Sequence, residues 1–156
     1  MKVLSLNVNP LGGVPKHRVD KITIANNKVV EDTQAWAEGH AKPIRAVTLF
    51  SIEKIKELQA LGHSIDIGTT GENITVSGGD WGNLKSDDTL VIGSAILQLT
   101  FTAPPCMKIA KSFIDNNYRT MDGERNPGFG RWCAQIIKEG EIEIGDDIVV
   151  LPQHNN

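Results

Sequence analysis

The sequence predicts a mainly β, barrel-like fold with a few short helices, formed by a single domain over residues 1–156. Short apolar or alternating runs recur along the chain, and this pattern is typical of strands. Gly, Pro, Asn and Asp separate the runs, and only one segment has clear helical periodicity. A chain of 156 residues that is 40% hydrophobic is long enough to bury a core as one domain.

Composition narrows the class of protein. The formal net charge is −3, which argues against a dedicated nucleic-acid binder because such proteins need a concentrated basic surface. No apolar run approaches the ~20 residues of a membrane span, and the first ten residues do not read as a signal peptide. We therefore expect a cytoplasmic protein without membrane partners, in which Cys106 and Cys133 are reduced.

In the first half, the pattern predicts strands at 3–8, 19–24 and 44–50, with a Pro- and Gly-containing loop at 10–16. Ser51 is a predicted helix N-cap, with Glu53 in the first turn. Apolar residues then recur at near-helical spacing as far as Leu61, and Gly62 can end the helix.

The second half is richer in strands. Runs at 74–76, 89–93, 95–102, 132–137, 142–144 and 148–151 are predicted strands. A short helix is predicted over 107–115, and a long polar loop over 116–130. The segments 86–92 and 145–151 resemble each other, and two similar turns into two similar strands suit a barrel or a sandwich.

Cys106 is the strongest candidate for chemistry. It follows Pro104 and Pro105, which end the strand before it and fix the backbone there. At the first turn of the predicted helix, the free N–H groups would favour a thiolate, and Lys108 and Lys111 are close in sequence. The alternative is a small buried hydrophobic residue in a corner.

Other reactive arrangements find little support. Cys133 lies in strand context and is interpreted as a packing residue. The four histidines lack metal-site spacing. Residues 12–16 are not a phosphate-binding P-loop, because the Gly-x-x-x-x-Gly-Lys spacing is missing.

Taken together, the segments resemble the MOSC family, named after the C-terminal domain of molybdenum-cofactor sulfurases. The order and spacing of the pieces over almost the whole chain carry the resemblance. The pieces are Gly12-Gly13-Val14-Pro15-Lys16, Ile44-Arg45-Ala46-Val47-Thr48-Leu49, Gly71-Glu72-Asn73-Ile74-Thr75-Val76, Pro105-Cys106, Arg131 to Ala134, and Gly140 to Asp146.

The resemblance implies a barrel-like MOSC-type fold and a role around the molybdenum cofactor (molybdopterin) or sulfur transfer. The family cysteine matches Cys106, which would carry sulfur or bond molybdenum. The family's Gly-Asp-x-His pattern is present only as Asp32 in Glu31-Asp32-Thr33-Gln34, and His40 is out of register. No pyridoxal-type lysine motif is found, so cysteine desulfuration would belong to a partner enzyme that uses pyridoxal phosphate.

Six residues are the candidates for holding the anionic cofactor: Lys16, Asp32, Arg45, Glu72, Asn73 and Arg131. Arg45 and Arg131 match family positions and lie in otherwise apolar runs, which favours binding over simple solvation. The alternatives are a structural ion pair for the arginines and a turn hydrogen bond for Asn73.

Three functions stay open on the sequence. The first is a sulfur carrier or cofactor-binding protein that uses Cys106, with a sulfurase or a molybdenum enzyme as partner. The second, implied by the resemblance alone, is a molybdenum-dependent oxidoreductase of N-hydroxylated compounds. The third is a non-catalytic module that docks on a cofactor-assembly enzyme, which an exposed apolar patch would favour.

Overall fold

The protein is described by a computed structural model that covers residues 1–34 and 42–153. The strands are β1 Lys2–Val8, β2 His17–Val19, β3 Lys21–Ala25, β4 Lys28–Val29, β5 Val47–Ser51, β6 Ile74–Ser77, β7 Thr89–Ile92, β8 Ala95–Thr102, β9 Trp132–Lys138, β10 Gly140–Glu143 and β11 Ile148–Leu151. The α-helix is α1, Ile52–Ala60. Short 3₁₀-helices span Pro43–Arg45, Trp81–Asn83, Met107–Ser112, Ile114–Asn116 and Tyr118–Met121.

Eight strands form one sheet in the order β11-β7-β8-β9-β5-β6-β1-β2, and β10-β3-β4 form a second, smaller sheet. All pairs are antiparallel except β5 with β6, which α1 connects as a crossover. The two similar segments seen in the sequence become β7 and β11, which are antiparallel neighbours.

The large sheet is barrel-like but its ladder is not closed. Three backbone hydrogen bonds join the start of β1 to the first residue of β11 and the turn before it: Val3 N to Asp146 O (2.9 Å), Gly145 N to Val3 O (2.8 Å) and Ile148 N to Met1 O (2.9 Å). These bonds join β11, the edge strand on one side, to β1, the second strand from the other edge, so the prediction of a mainly β, barrel-like fold is confirmed.

Side-chain alternation places the core between the sheets and α1. In β8, Ala95, Leu97 and Leu99 are fully buried, whereas the residues between them are half-buried, as the sequence pattern predicted. Ile55 and Leu58 of α1 are also fully buried. No helix within 1–34 and 42–153 is long and apolar enough to cross a membrane.

The helix α1 forms where the sequence predicted it. The Ser51 hydroxyl accepts a hydrogen bond from Lys54 N (3.3 Å) and donates to Glu53 (2.8 Å). Gly62 follows the helix with φ +95°, a conformation that glycine adopts without strain.

Two predicted strands have different boundaries. The run 19–24 is split at Asp20, so that β2 pairs with β1 while β3 pairs with β10 in the other sheet. The run 44–50 is extended only from Val47. Its first residues form the 3₁₀-helix Pro43–Arg45, because proline at the helix start favours a turn there.

The helix predicted over 107–115 forms only over its first six residues, as a 3₁₀-helix. The 3₁₀-helix Met107–Ser112 ends at an extended Phe113, and Asp115 adopts φ +54°. Ala110 and Phe113 are buried, but Met107 is 76% exposed. The extended Phe113 interrupts the helical period, and Ile114, which follows the break, is 46% exposed.

Candidate functional site

A pocket of about 150 Å³ lies where the loops before β2, β5, β6 and β9 meet the segment after β8. Its walls include Cys106 and basic side chains from four separate segments. The lining residues used below are Lys16, Arg45, Thr48, Thr70, Gly71, Asn73, Cys106, Lys108, Arg131 and Cys133.

Cys106 is exposed at the N-cap of the 3₁₀-helix Met107–Ser112, which begins at the predicted residue, and its thiol is free. Its side chain caps none of that helix's backbone N–H groups. Pro104 lines the pocket beside it, and Ala103 N donates to Arg131 O (2.7 Å). The Pro-Pro segment therefore ends β8 at the pocket and leaves the thiol accessible.

Lys16 points into the pocket and is held from behind by Asp32. Its Nζ lies 2.5 Å from Asp32 Oδ2, and both side chains are largely buried, with exposed fractions of 12% and 4%. Asp32 Oδ1 accepts a hydrogen bond from Asn9 N (2.7 Å). Burial lowers the pKa of Lys16, and the Asp32 carboxylate acts in the opposite direction. Asp32 thus positions Lys16 and does not itself line the pocket.

Asn73 connects this ion pair to the strand β5. Its Nδ2 donates to Asp32 Oδ2 (2.9 Å), and its Oδ1 accepts from Thr48 N and Thr48 Oγ1 (3.2 Å each). The Thr48 hydroxyl also contacts Gly71 O (3.1 Å). The side-chain amide is therefore used in full as a structural bridge between distant segments, and not in the local turn hydrogen bond that was the alternative for Asn73.

Glu72 and Arg131 are two further buried charged residues, and each is hydrogen-bonded to the loop before β6. Glu72 is fully buried and accepts hydrogen bonds from Gly68 N (2.7 Å) and from the Thr70 hydroxyl (3.0 Å). Arg131, which is 9% exposed, donates to Thr70 O through one of its terminal nitrogens.

The environment opposes the charge on each of these two residues. Burial raises the pKa of Glu72, against the effect of its hydrogen bonds and of Arg131. Burial also lowers the pKa of Arg131, against the attraction of Glu72. Glu72 braces the loop that holds Arg131 and is absent from the pocket wall.

Arg45 reaches the pocket from the end of a 3₁₀-helix and not from a strand, which corrects its predicted location. Its guanidinium carbon lies 4.9 Å from the centre of the Phe101 ring. Cys133, predicted to pack, is 2% exposed in β9 and also borders the pocket. Burial raises the pKa of this thiol, although Arg131 and Arg45 lower it.

The structure thus brings Lys16, Arg45, Asn73, Cys106 and Arg131 to one pocket and places the two predicted carboxylates behind it. Sequence reasoning missed Thr48 and Thr70 as parts of the site. Thr48 could have been found as the polar residue within the apolar run of β5. Thr70 contributes its backbone carbonyl, and a backbone group cannot be recognised from the residue type. His40 lies outside the described residues.

The donor set fits an anionic ligand that bonds a soft metal or sulfur. Guanidinium and ammonium groups bind phosphate, and a thiolate is a soft ligand and a nucleophile. A volume of about 150 Å³ is below the ~300–1,000 Å³ of pockets that enclose a whole small molecule. The site suits the metal-bearing or anionic part of molybdopterin rather than the whole molecule. Within the described residues, no group of three or more His, Cys, Asp and Glu side chains could hold a metal ion by itself.

Comparison with known proteins identifies the class. The MOSC domain model matches residues 37–149, so the chain belongs to the MOSC domain family, whose members are associated with the molybdenum cofactor. The fold agrees with the crystal structure of YiiM from Geobacillus stearothermophilus (TM-score 0.74, 20% identity, 97% of this chain and 75% of that one). It also agrees with that of YuaD from Bacillus subtilis (TM-score 0.69, 17% identity, 96% and 94%).

A curated relative is the uncharacterized protein YflK of Bacillus subtilis (strain 168), 25% identical over 121 residues. The match covers 77% of this chain and 54% of YflK, so the chain spans about half the length of that relative.

Proposed function

We propose that the chain binds the molybdenum cofactor at this pocket, with Cys106 as the thiolate ligand of molybdenum. The observation that carries the proposal is that an accessible thiol and basic side chains from separate segments line one pocket. When bound, the cofactor supplies a redox-active metal centre.

The chain's own residues would bind and orient the ligand. Lys16, Arg45 and Arg131 supply positive charge. The Asp32 carboxylate holds Lys16 from behind, and Arg131 is held by its hydrogen bond to the Thr70 carbonyl. Because the cations are already positioned, little side-chain entropy is lost when an anion binds. Asp32, Asn73 and Glu72 then act as positioning residues, in place of the direct contacts that the sequence suggested.

A sulfur-carrier role for the same cysteine is the second candidate, and the exposure of Cys106 favours it. Its thiolate would attack the outer sulfur of a persulfide on a partner protein. A bond forms between Cys106 Sγ and that sulfur, the donor's S–S bond breaks, and its electron pair leaves on the donor thiolate. The donor would be a pyridoxal-phosphate cysteine desulfurase in a shared cytoplasmic compartment, where Cys106 stays reduced.

The deciding experiment is metal analysis with intact mass, on protein from molybdate-replete cells and on the same protein after incubation with a cysteine desulfurase and cysteine. Wild type and Cys106→Ala are compared, and the exposed Arg18→Gln is the control. Molybdenum that is lost in Cys106→Ala supports the cofactor proposal. One added sulfur atom, removed by reductant and absent in Cys106→Ala, supports the carrier.

Molybdenum bound equally by wild type and Cys106→Ala would contradict the ligand role of the thiol. Protein that carries neither molybdenum nor added sulfur in either preparation would contradict both candidate functions. The non-catalytic docking module would then be the remaining hypothesis. Reduction of an N-hydroxylated compound by the molybdenum-loaded protein, with an external reductant, would add the oxidoreductase activity.

A further inference from the structure

A second, larger cavity lies on another part of the molecule. It has a volume of about 560 Å³ and runs between the end of α1 and the segment 117–129. No residue of this segment lines the pocket that contains Cys106, called the cysteine pocket below. Its apolar part is made by Leu58, Leu61 and Phe129. Leu61 is 66% exposed, so the cavity offers apolar surface to whatever enters it.

The polar wall of this cavity is a loop built by its own hydrogen bonds. Asn126 N donates to Asp122 O (2.7 Å), and Phe129 N donates to Asn126 O (3.0 Å). The Asn126 side-chain amide also reaches Thr120 O (3.3 Å), while the Thr120 hydroxyl donates to Asn117 O (2.8 Å). These hydrogen bonds hold the loop backbone in place, and the backbone positions Arg119 and Arg125 at the cavity.

The lining carries positive charge without a carboxylate. Arg119 and Arg125 are its ionised residues, in a chain whose net charge is −3. Arg125 pairs through Nε with Asp122 (3.3 Å), which leaves its terminal nitrogens for a ligand. The Arg119 side chain has no hydrogen-bond or ion-pair partner among residues 1–34 and 42–153.

We infer that this cavity binds a small organic anion, a phosphate or carboxylate with an apolar body. The two guanidinium groups would hold the anion, and Leu61 and Phe129 would cover the apolar part. The volume lies within the ~300–1,000 Å³ typical of small-molecule sites. The inference does not rest on the proposed function, because the two pockets share no lining residue.

The test is an amide-resolved NMR titration with phenyl phosphate, which joins a phosphate to one aromatic ring. We expect saturable shifts for residues 117–129 and the end of α1, with Kd on the order of 1 mM. Inorganic phosphate alone should bind the same residues at least about fivefold more weakly, because it lacks the apolar body.

The double variant Arg119→Gln/Arg125→Gln should raise Kd about tenfold, because both charge-assisted contacts are lost. Arg18→Gln, an exposed arginine on β2, should leave Kd unchanged. Since both substituted side chains are exposed, the variant's spectrum away from the loop checks that it folds. Absence of saturable shifts at 117–129, shifts confined to the cysteine pocket, or equal affinity of the double variant would overturn the inference.

Discussion

At the scale of single residues, the two cysteines show how the same side chain takes different properties from its surroundings. Cys106 is exposed after two prolines, and Cys133 is 2% exposed within β9. Burial disfavours the thiolate of Cys133 and raises its pKa, so this thiol is protonated at neutral pH. Reactivity at the pocket is therefore expected from Cys106.

We predict that iodoacetamide adds one group to the native protein and two in denaturant, matching the two cysteines of the chain. Peptide mapping by mass spectrometry should find the native label on Cys106. Cys106→Ser should remain unlabelled until it is unfolded. Native labelling of Cys133 in that variant would show that β9 opens or that its thiol is accessible.

A second residue-scale prediction concerns the ion pair Lys16–Asp32. Asp32→Asn leaves a largely buried ammonium without its carboxylate, at a cost of about 3–5 kcal/mol in the free energy of unfolding. Chemical denaturation measures this cost. The matched control is Asp147→Asn in the exposed pair Lys2–Asp147 (2.8 Å), where solvent screening predicts a far smaller change. Equal losses in the two variants would contradict the structural role of Asp32.

At the scale of elements, the loop that precedes β6 assembles one wall of the pocket. It contributes Thr70, Gly71 and Asn73, and Glu72 anchors it from inside. Gly71 has φ +87°, and an added Cβ would lie 3.0 Å from Val14 Cγ1 and 3.5 Å from a terminal nitrogen of Arg131. The glycine thus permits both the turn and the close approach of the side chains on either side.

Gly71→Ala should lower the free energy of unfolding for two reasons. The positive φ costs about 1 kcal/mol, and the crowding of the new Cβ against Val14 and Arg131 costs about 1 kcal/mol more. Gly145→Ala isolates the first effect, because φ there is +92° and nothing lies within 4 Å of an added Cβ. Urea denaturation of both variants measures the difference. An equal loss of unfolding free energy in the two variants would contradict the prediction, because it would mean that Val14 and Arg131 move aside without cost.

At the scale of the whole molecule, buried charge links the pocket to stability. Glu72 is fully buried, and burial raises its pKa above the usual 4.5. The folded protein therefore holds the Glu72 proton more tightly than the unfolded chain does. The resulting stabilisation is present in full below pH 4.5 and is lost as the pH rises through the folded-state pKa.

We therefore predict that the unfolding free energy of wild type, relative to Glu72→Gln, falls as the pH rises from about 4.5. Denaturant titrations at a series of pH values measure it. Glu31→Gln is the control, because the pKa of Glu31 is shifted in the opposite direction and the stability difference should change with pH in the opposite sense. Desolvation acts to raise the pKa of Glu31, but hydrogen bonds from Thr23 N (2.9 and 3.1 Å) outweigh it and lower this pKa. Its stabilisation is present above pH 4.5 and is lost as the pH falls. If the stability difference from wild type changed with pH in the same direction for Glu72→Gln and Glu31→Gln, the raised pKa of Glu72 would be contradicted.

The sequence by itself determined the fold class, the helix α1, the strand β8 and the identity of the reactive cysteine candidate. Each depends on local signals: alternation over 95–102, a serine cap before a helical period, and two prolines before Cys106. Family membership followed from the same segments and was confirmed over 37–149. The binding roles of the site residues stay predictions.

Only the tertiary structure decided which polar residues face the pocket. Lys16 and Asp32 are 16 positions apart, and Thr70 and Arg131 are 61 apart, so their contacts depend on how the sheets and loops meet. Sequence patterns report the period of one element and the chemistry of neighbouring positions. They do not report which face of a loop turns inward, and that orientation separates Lys16 and Arg131 on the pocket wall from Asp32 and Glu72 behind it.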